Sequence, residues 1–193
     1  ARSAVATART AAAALARRPP SQGKGASPRG ACPDPAATLE FLAAELEGNI
    51  PEVLKTRDSL MLALGDIKSV AYGSAPLPGL HRYAYRSKVD GSAQPYALYV
   101  PEGYDPARRY GLVLALHGAS GNDFDMAASI ASSSPPDMLV AAPYGRGDLG
   151  WSATGETDAM DVLDLVLAGY SVDPARVYLT GRSMGGFGTW RLG

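Results

Sequence analysis

Three short apolar runs, GLVLALHG (residues 111–118), MLVAAPYG (138–145) and RVYLTG (176–181), do most to limit the folds open to this chain. Each is almost free of charge, as expected of a strand buried on both faces of a sheet. Between them lie segments with helical periodicity. NDFDMAASIAS follows the first run. TDAMDVLDLVLAGY (157–170) follows the second, with Met160, Leu163, Val166 and Leu167 on one face and Gly169 near its end. Upstream, HRYAYRS (81–87) and PYALYVP (95–101) flank KVDGSAQ, whose Asp90-Gly91 pair signals a hairpin. An antiparallel hairpin leading into alternating strands and helices predicts an α/β sheet with right-handed crossovers.

Length and composition set the frame for function. The 193 residues suit one domain of ordinary size, or one with an appendage. With 46% hydrophobic residues, 19% charged and a net charge of -1, nothing steers the chain toward nucleic acid or anionic lipid. Cys32 is the sole cysteine, which excludes an internal disulfide and a cysteine-based zinc site. No uncharged apolar run approaches the roughly 18 to 20 residues of a membrane span, so a soluble product is expected.

Residues 1–33 are rich in Ala and Arg and carry no acid, the composition of a disordered or targeting segment, so export is possible and the compartment stays open. Residues 34–66 read as two short helices, one with Leu39, Leu42, Ala43 and Leu46 at helical spacing, the other with Val53, Leu54, Leu60, Met61 and Leu64. Neither could stand alone, and packing on the following domain is the simplest cover for their apolar faces. Residues 67–80 read as a linker and 81–193 as the catalytic domain.

The pentapeptide Gly181-Arg182-Ser183-Met184-Gly185 comes directly after the third apolar run and leads into GGFGTWRL, which can begin a helix. As a bare string Gly-x-Ser-x-Gly says little. Between a buried strand and a helix it suits a turn that lifts a nucleophilic serine above the sheet. That turn strains the serine backbone and needs small neighbours, here expected to be Gly181, Gly185 and Gly186. The helix after it brings free N–H groups and the positive end of its dipole to the serine, so the Met184 N–H is expected to stabilise an oxyanion. LHGASGND (116–123), in the loop after the first run, is where a sheet of this kind places its second donor, assigned to Ala119. His117 precedes the serine and is expected to position that loop rather than act as base. His81 reads as ordinary surface or edge. Glu156 and Asp158 read as acids at a helix start, explained by the dipole.

At these residues the chain resembles the α/β-hydrolase superfamily, and more narrowly the esterases related to polyhydroxybutyrate depolymerase and feruloyl esterase and the prolyl-oligopeptidase-like hydrolases. The blocks YRSKVDGSAQPYALYVPEGYDP, LALHGASGND, APYGRGDLGW and GETDAMDVLDLVLAGYSVDPARVYLTGRSMGGFGTW carry the likeness, from about His81 onward. The resemblance implies a Ser-His-Asp acyl hydrolase that needs no cofactor or metal and acts on a small-molecule or polymeric ester. It makes Ser183 the nucleophile and Met184 and Ala119 the oxyanion donors, with Tyr144 and Trp151 at the substrate mouth.

The chain departs from this pattern in one respect. In the α/β-hydrolase order the acid and then the histidine follow the nucleophile, yet the ten residues after Ser183 include no His, Asp or Glu. The expectation is therefore a domain truncated after the serine turn, its strand ending at Gly181 left as an open edge, and little or no activity. Alternatives are a serine peptidase of prolyl-oligopeptidase type and a noncatalytic interaction protein. A dinucleotide site at GRGDLG (145–150) fits poorly, because WSATGETD separates the glycines from the next helix.

Overall fold

The computed structural model describes residues 34–48 and 78–193, together with residues 6, 9, 10, 13 and 14. The second helix expected within 51–64, and nearly all of the linker, lie outside the described residues. In chain order the elements are α1 (Pro35–Gly48), β1 (Gly79–Arg86), β2 (Ala93–Val100), β3 (Tyr110–Leu116), α2 (Asp123–Ala131), β4 (Met138–Pro143), α3 (Thr154–Gly169), β5 (Val172–Gly181) and α4 (Met184–Leu192).

The strands form one five-stranded sheet in the order β1-β2-β4-β3-β5. β1 and β2 are an antiparallel hairpin, β2 runs antiparallel to β4, and β3 lies parallel to both β4 and β5. This is the α/β sheet that the three apolar runs predict. Strand alternation divides the core between two faces. Tyr96, Leu98, Leu112, Leu114, Leu116, Leu139 and Ala141 face α1 and α3. Ala97, Ala115, Val140 and Ala142 face Met126 and Ala127 of α2, where the small side chains let that helix lie close.

The hairpin forms where Asp90-Gly91 predicts it, though its connection is longer than a two-residue turn. Arg86 pairs with Ala93, and Ser87–Ser92 closes through Ser87 N–H to Ser92 O (2.9 Å) and Gly91 N–H to Ser87 O (2.9 Å), with Gly91 at φ +72°. β5 begins at Val172, ahead of the expected run, and accommodates Pro174 by a register shift: Tyr110 pairs with Val172, and the next partners are Leu112 and Val177. A proline cannot donate to the ladder, so it sits in that irregularity. The strand is also less buried than the sequence suggests. Among the described residues nothing pairs with its outer edge, and Tyr178 is 51% exposed.

The buried face of α3 differs from the predicted one. Gly155, Asp158, Ala159, Val162 and Val166 are buried, whereas Met160 is exposed and Leu163 and Leu167 are only partly covered. The helix rotates its small residues toward the sheet, which permits a close approach, and starts three residues earlier than expected. Asp158 is therefore in the second turn. Its burial is explained by bonds to Tyr85 and Arg146 rather than by the helix dipole.

Helix α1 packs on β1 and β2 and is tied to the exposed side of the sheet. Asp34 caps it, one carboxylate oxygen accepting from Ala37 N–H (3.0 Å), while the other accepts from Arg86 N–H of β1 (3.0 Å). Thr38, fully buried, donates its hydroxyl to Ala84 O and accepts from Ala84 N–H, both at 2.9 Å. These Ala84 groups point away from β2, so α1 satisfies the backbone of what would otherwise be a bare edge strand. Arg82 completes the joint: its guanidinium bonds both oxygens of buried Asp123, pairs with Glu45 of α1 and lies over the Phe41 ring. Burial is the larger influence on Glu45 and raises its carboxyl pKa against the pull of Arg82.

Candidate active site

In an open α/β sheet, ligand sites lie beyond the carboxyl ends of parallel strands, where successive connections leave a strand in opposite directions. Here that point is the end of β3, with β4 on one side and β5 on the other. Three loops meet there: residues 117–122 after β3, 144–153 after β4, and the two-residue turn Arg182-Ser183 after β5.

Ser183 is the residue between β5 and α4 and has φ 52° and ψ -115°, a conformation that L-residues rarely adopt. The packing around it explains the flanking glycines. A Cβ on Gly181 would come within 2.1 Å of Gly185 O, and one on Gly185 within 2.0 Å of Leu116 O. Gly186 does not share this constraint, contrary to expectation, since its nearest neighbour would be Gly181 O at 3.5 Å. Arg182 N–H donates to Leu116 O (3.2 Å) and fixes the turn against the end of β3. A Cβ on Gly118 would lie 3.4 Å from Ser183 Cβ, so the β3 loop passes directly beside the serine.

That loop is a tight turn, Gly118-Ala119-Ser120-Gly121, closed by Gly121 N–H to Gly118 O (3.0 Å) with Ser120 at φ 57°. Positive φ at the third position is the mark of a type II turn. Gly118 O also lies 2.8 Å from His117 Nδ1. A trans peptide holds its C=O and N–H in one plane pointing opposite ways, so anchoring Gly118 O aims the Ala119 N–H to the other side. Among the described residues neither the Ala119 N–H nor the Met184 N–H donates a hydrogen bond. The two expected donors are thus unoccupied groups on the two loops that meet at Ser183.

His117 is buried, with Nδ1 on Gly118 O and Nε2 on Tyr144 O, both at 2.8 Å. Each ring nitrogen thus lies against a backbone carbonyl, one from the β3 loop and one from the β4 loop, which suits the positioning role expected of it. His81 is on the edge strand β1, one of the two places expected for it, but is buried against Tyr83 rather than on the surface. Four strand spacings separate β1 from β5, about 19 Å at the usual interval, so His81 is also out of reach of Ser183.

The β4 loop is bonded to the β3 loop at several points. Trp151, expected at a substrate mouth, is only 2% exposed and donates its indole N–H to His117 O (3.1 Å), so it braces the start of the β3 loop. Gly145 and Gly188 make room for its ring: a Cβ at either position would come within 2.5 Å of it. Tyr144 is partly exposed, with its ring 6.0 Å from that of His117 and its hydroxyl near Gly147. The glycines of GRGDLG, with positive φ at 145, 147 and 150, turn the chain around Trp151. Helix α3 starts only at Thr154, so they form no helix-capping phosphate cradle.

The contacts of two polar side chains of this loop, Arg146 and Asp148, lie beyond the reach of sequence motifs. Arg146, at φ 63°, bonds Asp158 (2.9 Å), Asp90 (2.5 Å) and Ser87 (2.9 Å), which joins the loop to the hairpin and to α3. Tyr85 donates to the other oxygen of Asp158 (2.9 Å), and its phenol is pushed well above its ordinary pKa by burial and then by that carboxylate. Asp148 accepts from the Ser120 N–H at 2.6 Å. Among the described residues no group of three or more His, Cys, Asp or Glu side chains could hold a metal ion, and no helix is long and apolar enough to cross a membrane.

The mixed sheet, with a strained serine turn between β5 and α4, has the α/β-hydrolase fold. Proteins with that fold to which the chain is similar include esterases. It is 31% identical over 102 residues to the probable feruloyl esterase C of Aspergillus terreus, covering 47% of this chain and 37% of that protein. It is 25% identical over 137 residues to feruloyl esterase C of Emericella nidulans, covering 65% and 50%. Among solved structures, a thermostable esterase superposes with a TM-score of 0.50 at 25% identity, covering 57% of this chain and 36% of the other. The chain spans half or less of the length of the curated relatives it matches. No protein-family model matches it.

Proposed function

We propose that this chain carries the nucleophile and oxyanion donors of a serine hydrolase that cleaves carboxylic esters. Supporting this reading above all is Ser183, held at φ 52° between strand and helix beside the Gly118 loop, with the N–H groups of Ala119 and Met184 on the two adjoining loops donating no hydrogen bond among the described residues. The likeness to feruloyl esterases supports an ester as the substrate. The catalytic unit in this reading includes α1 as well as residues 79–193, since α1 satisfies the edge of β1.

Ser183 Oγ attacks the ester carbonyl carbon while its proton passes to a general base. The carbonyl oxygen takes up the negative charge and receives hydrogen bonds from Ala119 and Met184. As the tetrahedral species collapses, the bond to the alcohol oxygen breaks and the alcohol leaves with a proton, giving an acyl-serine. Water then attacks the same carbon and releases the acid. The two peptide donors are backbone groups fixed before substrate arrives, so they cost no reorganisation as charge develops. In this reading neither His117, whose ring nitrogens lie against two backbone carbonyls, nor His81, on the far edge strand, is the base. Without that base, turnover by these residues should remain at trace level, because losing a triad member costs several orders of magnitude and leaves roughly a thousandfold over water.

The test is labelling with a fluorophosphonate probe, read by mass spectrometry, together with hydrolysis of p-nitrophenyl acetate. Slow labelling at Ser183, abolished in Ser183→Ala, and trace ester turnover are the expected results. Labelling elsewhere, or none at all, would refute the role of Ser183. Turnover at ordinary enzyme rates that His81→Ala or His117→Ala stops would show that one of these residues is the base.

A further inference from the structure

We propose that Asp148 is a positioning residue that sets the orientation of the turn carrying the Ala119 N–H; the catalytic part of this inference rests on the reading of Ser183 and Ala119 given above. The turn Gly118–Gly121 has two states that differ by a flip of its central peptide, the one joining Ala119 to Ser120. The type II state needs positive φ at Ser120, which favours glycine, whereas the type I state gives that residue an ordinary negative φ. A serine should therefore prefer type I. The structure has the other state, with Ser120 at φ 57°.

What opposes the intrinsic preference is the carboxylate of Asp148, 28 residues further along the chain, which accepts the Ser120 N–H at 2.6 Å. A hydrogen bond to an ionised acceptor is short and about twice as strong as a neutral one. The flip would exchange that N–H for the Ala119 carbonyl oxygen and set two acceptors against each other. Asp148 thus rewards one state and penalises the other. It leaves the Ala119 N–H untouched, while His117 and Gly121 hold the preceding peptide through Gly118 O. The turn is therefore fixed at both peptides, with one group free for an incoming oxyanion. The β4 loop that bears Asp148 is itself anchored by Arg146 to Asp90 and Asp158, so the carboxylate is presented from a fixed frame.

The experiment compares Asp148→Ala, Asp148→Asn, Ser120→Gly and the double variant Asp148→Ala/Ser120→Gly in the full chain. Its first readout needs no activity: the proton shift and exchange rate of the Ser120 amide, by NMR. The wild type should show a downfield, slowly exchanging Ser120 amide, Asp148→Asn an intermediate one, and Asp148→Ala a fast-exchanging one with altered Ala119 and Ser120 shifts. The second readout is the rate of Ser183 phosphonylation and of ester turnover. Asp148→Ala should lower both by about tenfold with KM unchanged, short of the hundredfold or more seen when a donor is removed outright. Because glycine accepts positive φ without help, the double variant should recover to within about threefold of Ser120→Gly. An unaltered Ser120 amide in Asp148→Ala would overturn the proposal. So would a double variant as impaired as Asp148→Ala. If Ser183 does not react in any variant while the amide responds as described, the turn lock stands and the hydrolase reading fails.

Discussion

Gly185 and Gly186 are adjacent and identical in sequence, yet they answer to different constraints. A side chain on Gly185 must displace the carbonyl of Leu116, whereas one on Gly186 meets ordinary contact distances. Gly185→Ala should therefore destabilise the fold by about 3 kcal/mol, at the upper end of overpacking costs, and disorder the serine turn. Gly186→Ala lies inside α4 and should be neutral or stabilise by up to about 1 kcal/mol, because alanine is the better helix former. Urea unfolding of the two variants checks the pair, and equal losses would refute the geometry. The Gly-x-Ser-x-Gly pattern alone shows that small residues are needed after the serine. Which of the two glycines is essential depends on where β3 ends, 69 positions earlier in the chain, by the difference between Gly185 and Leu116.

Among the elements, α1 stands apart from the strands it covers in sequence but not in energy. Thr38 serves both backbone groups of Ala84 from 46 residues away, and Leu39 is fully buried beside it. Thr38→Val keeps the shape and removes the hydroxyl, so it leaves the Ala84 N–H and carbonyl without that partner. Each buried unsatisfied group costs about 1–3 kcal/mol. The expected loss is about 2 kcal/mol, with faster amide exchange at Ala84, measured by denaturant unfolding and hydrogen exchange. Thr38→Ser should restore much of it. Amphipathic spacing predicts that α1 is a helix and that it packs. It does not say against which strand, because the periodicity of an apolar face carries no address. The rotation of α3 shows the same limit. Leucines at helical spacing mark the face with most apolar surface, while close packing on the sheet selects Gly155, Ala159 and Val162.

For the molecule as a whole, the two sides of the sheet are unlike. α1 covers the β1 edge, whereas the β5 edge is open among the described residues and lies beside Phe187 (69% exposed) and Trp190 (90% exposed) of α4. An open apolar edge invites pairing with other chains. The 193-residue chain should therefore run larger than its 20.0 kDa in size-exclusion chromatography, increasingly so at higher concentration. Phe187→Glu combined with Trp190→Glu should shift it toward the monomer. A monodisperse unmodified chain with a sharp cooperative thermal transition would contradict this.

The sequence by itself determined the sheet class, the order of strands and helices, and the place of Ser183 at a strand-to-helix turn. These follow from properties local to the chain: the period of apolar residues, the steric freedom of glycine and the turn preference of Asp-Gly. Only the tertiary structure decided that Trp151 braces the start of the β3 loop, that both nitrogens of His117 lie against backbone carbonyls, and that Asp148 reaches Ser120. A polar side chain finds its partner by where the fold delivers it, and a hydrogen bond leaves no periodicity in the sequence. Such contacts are short in space and long in sequence, so they appear only once the strands are placed.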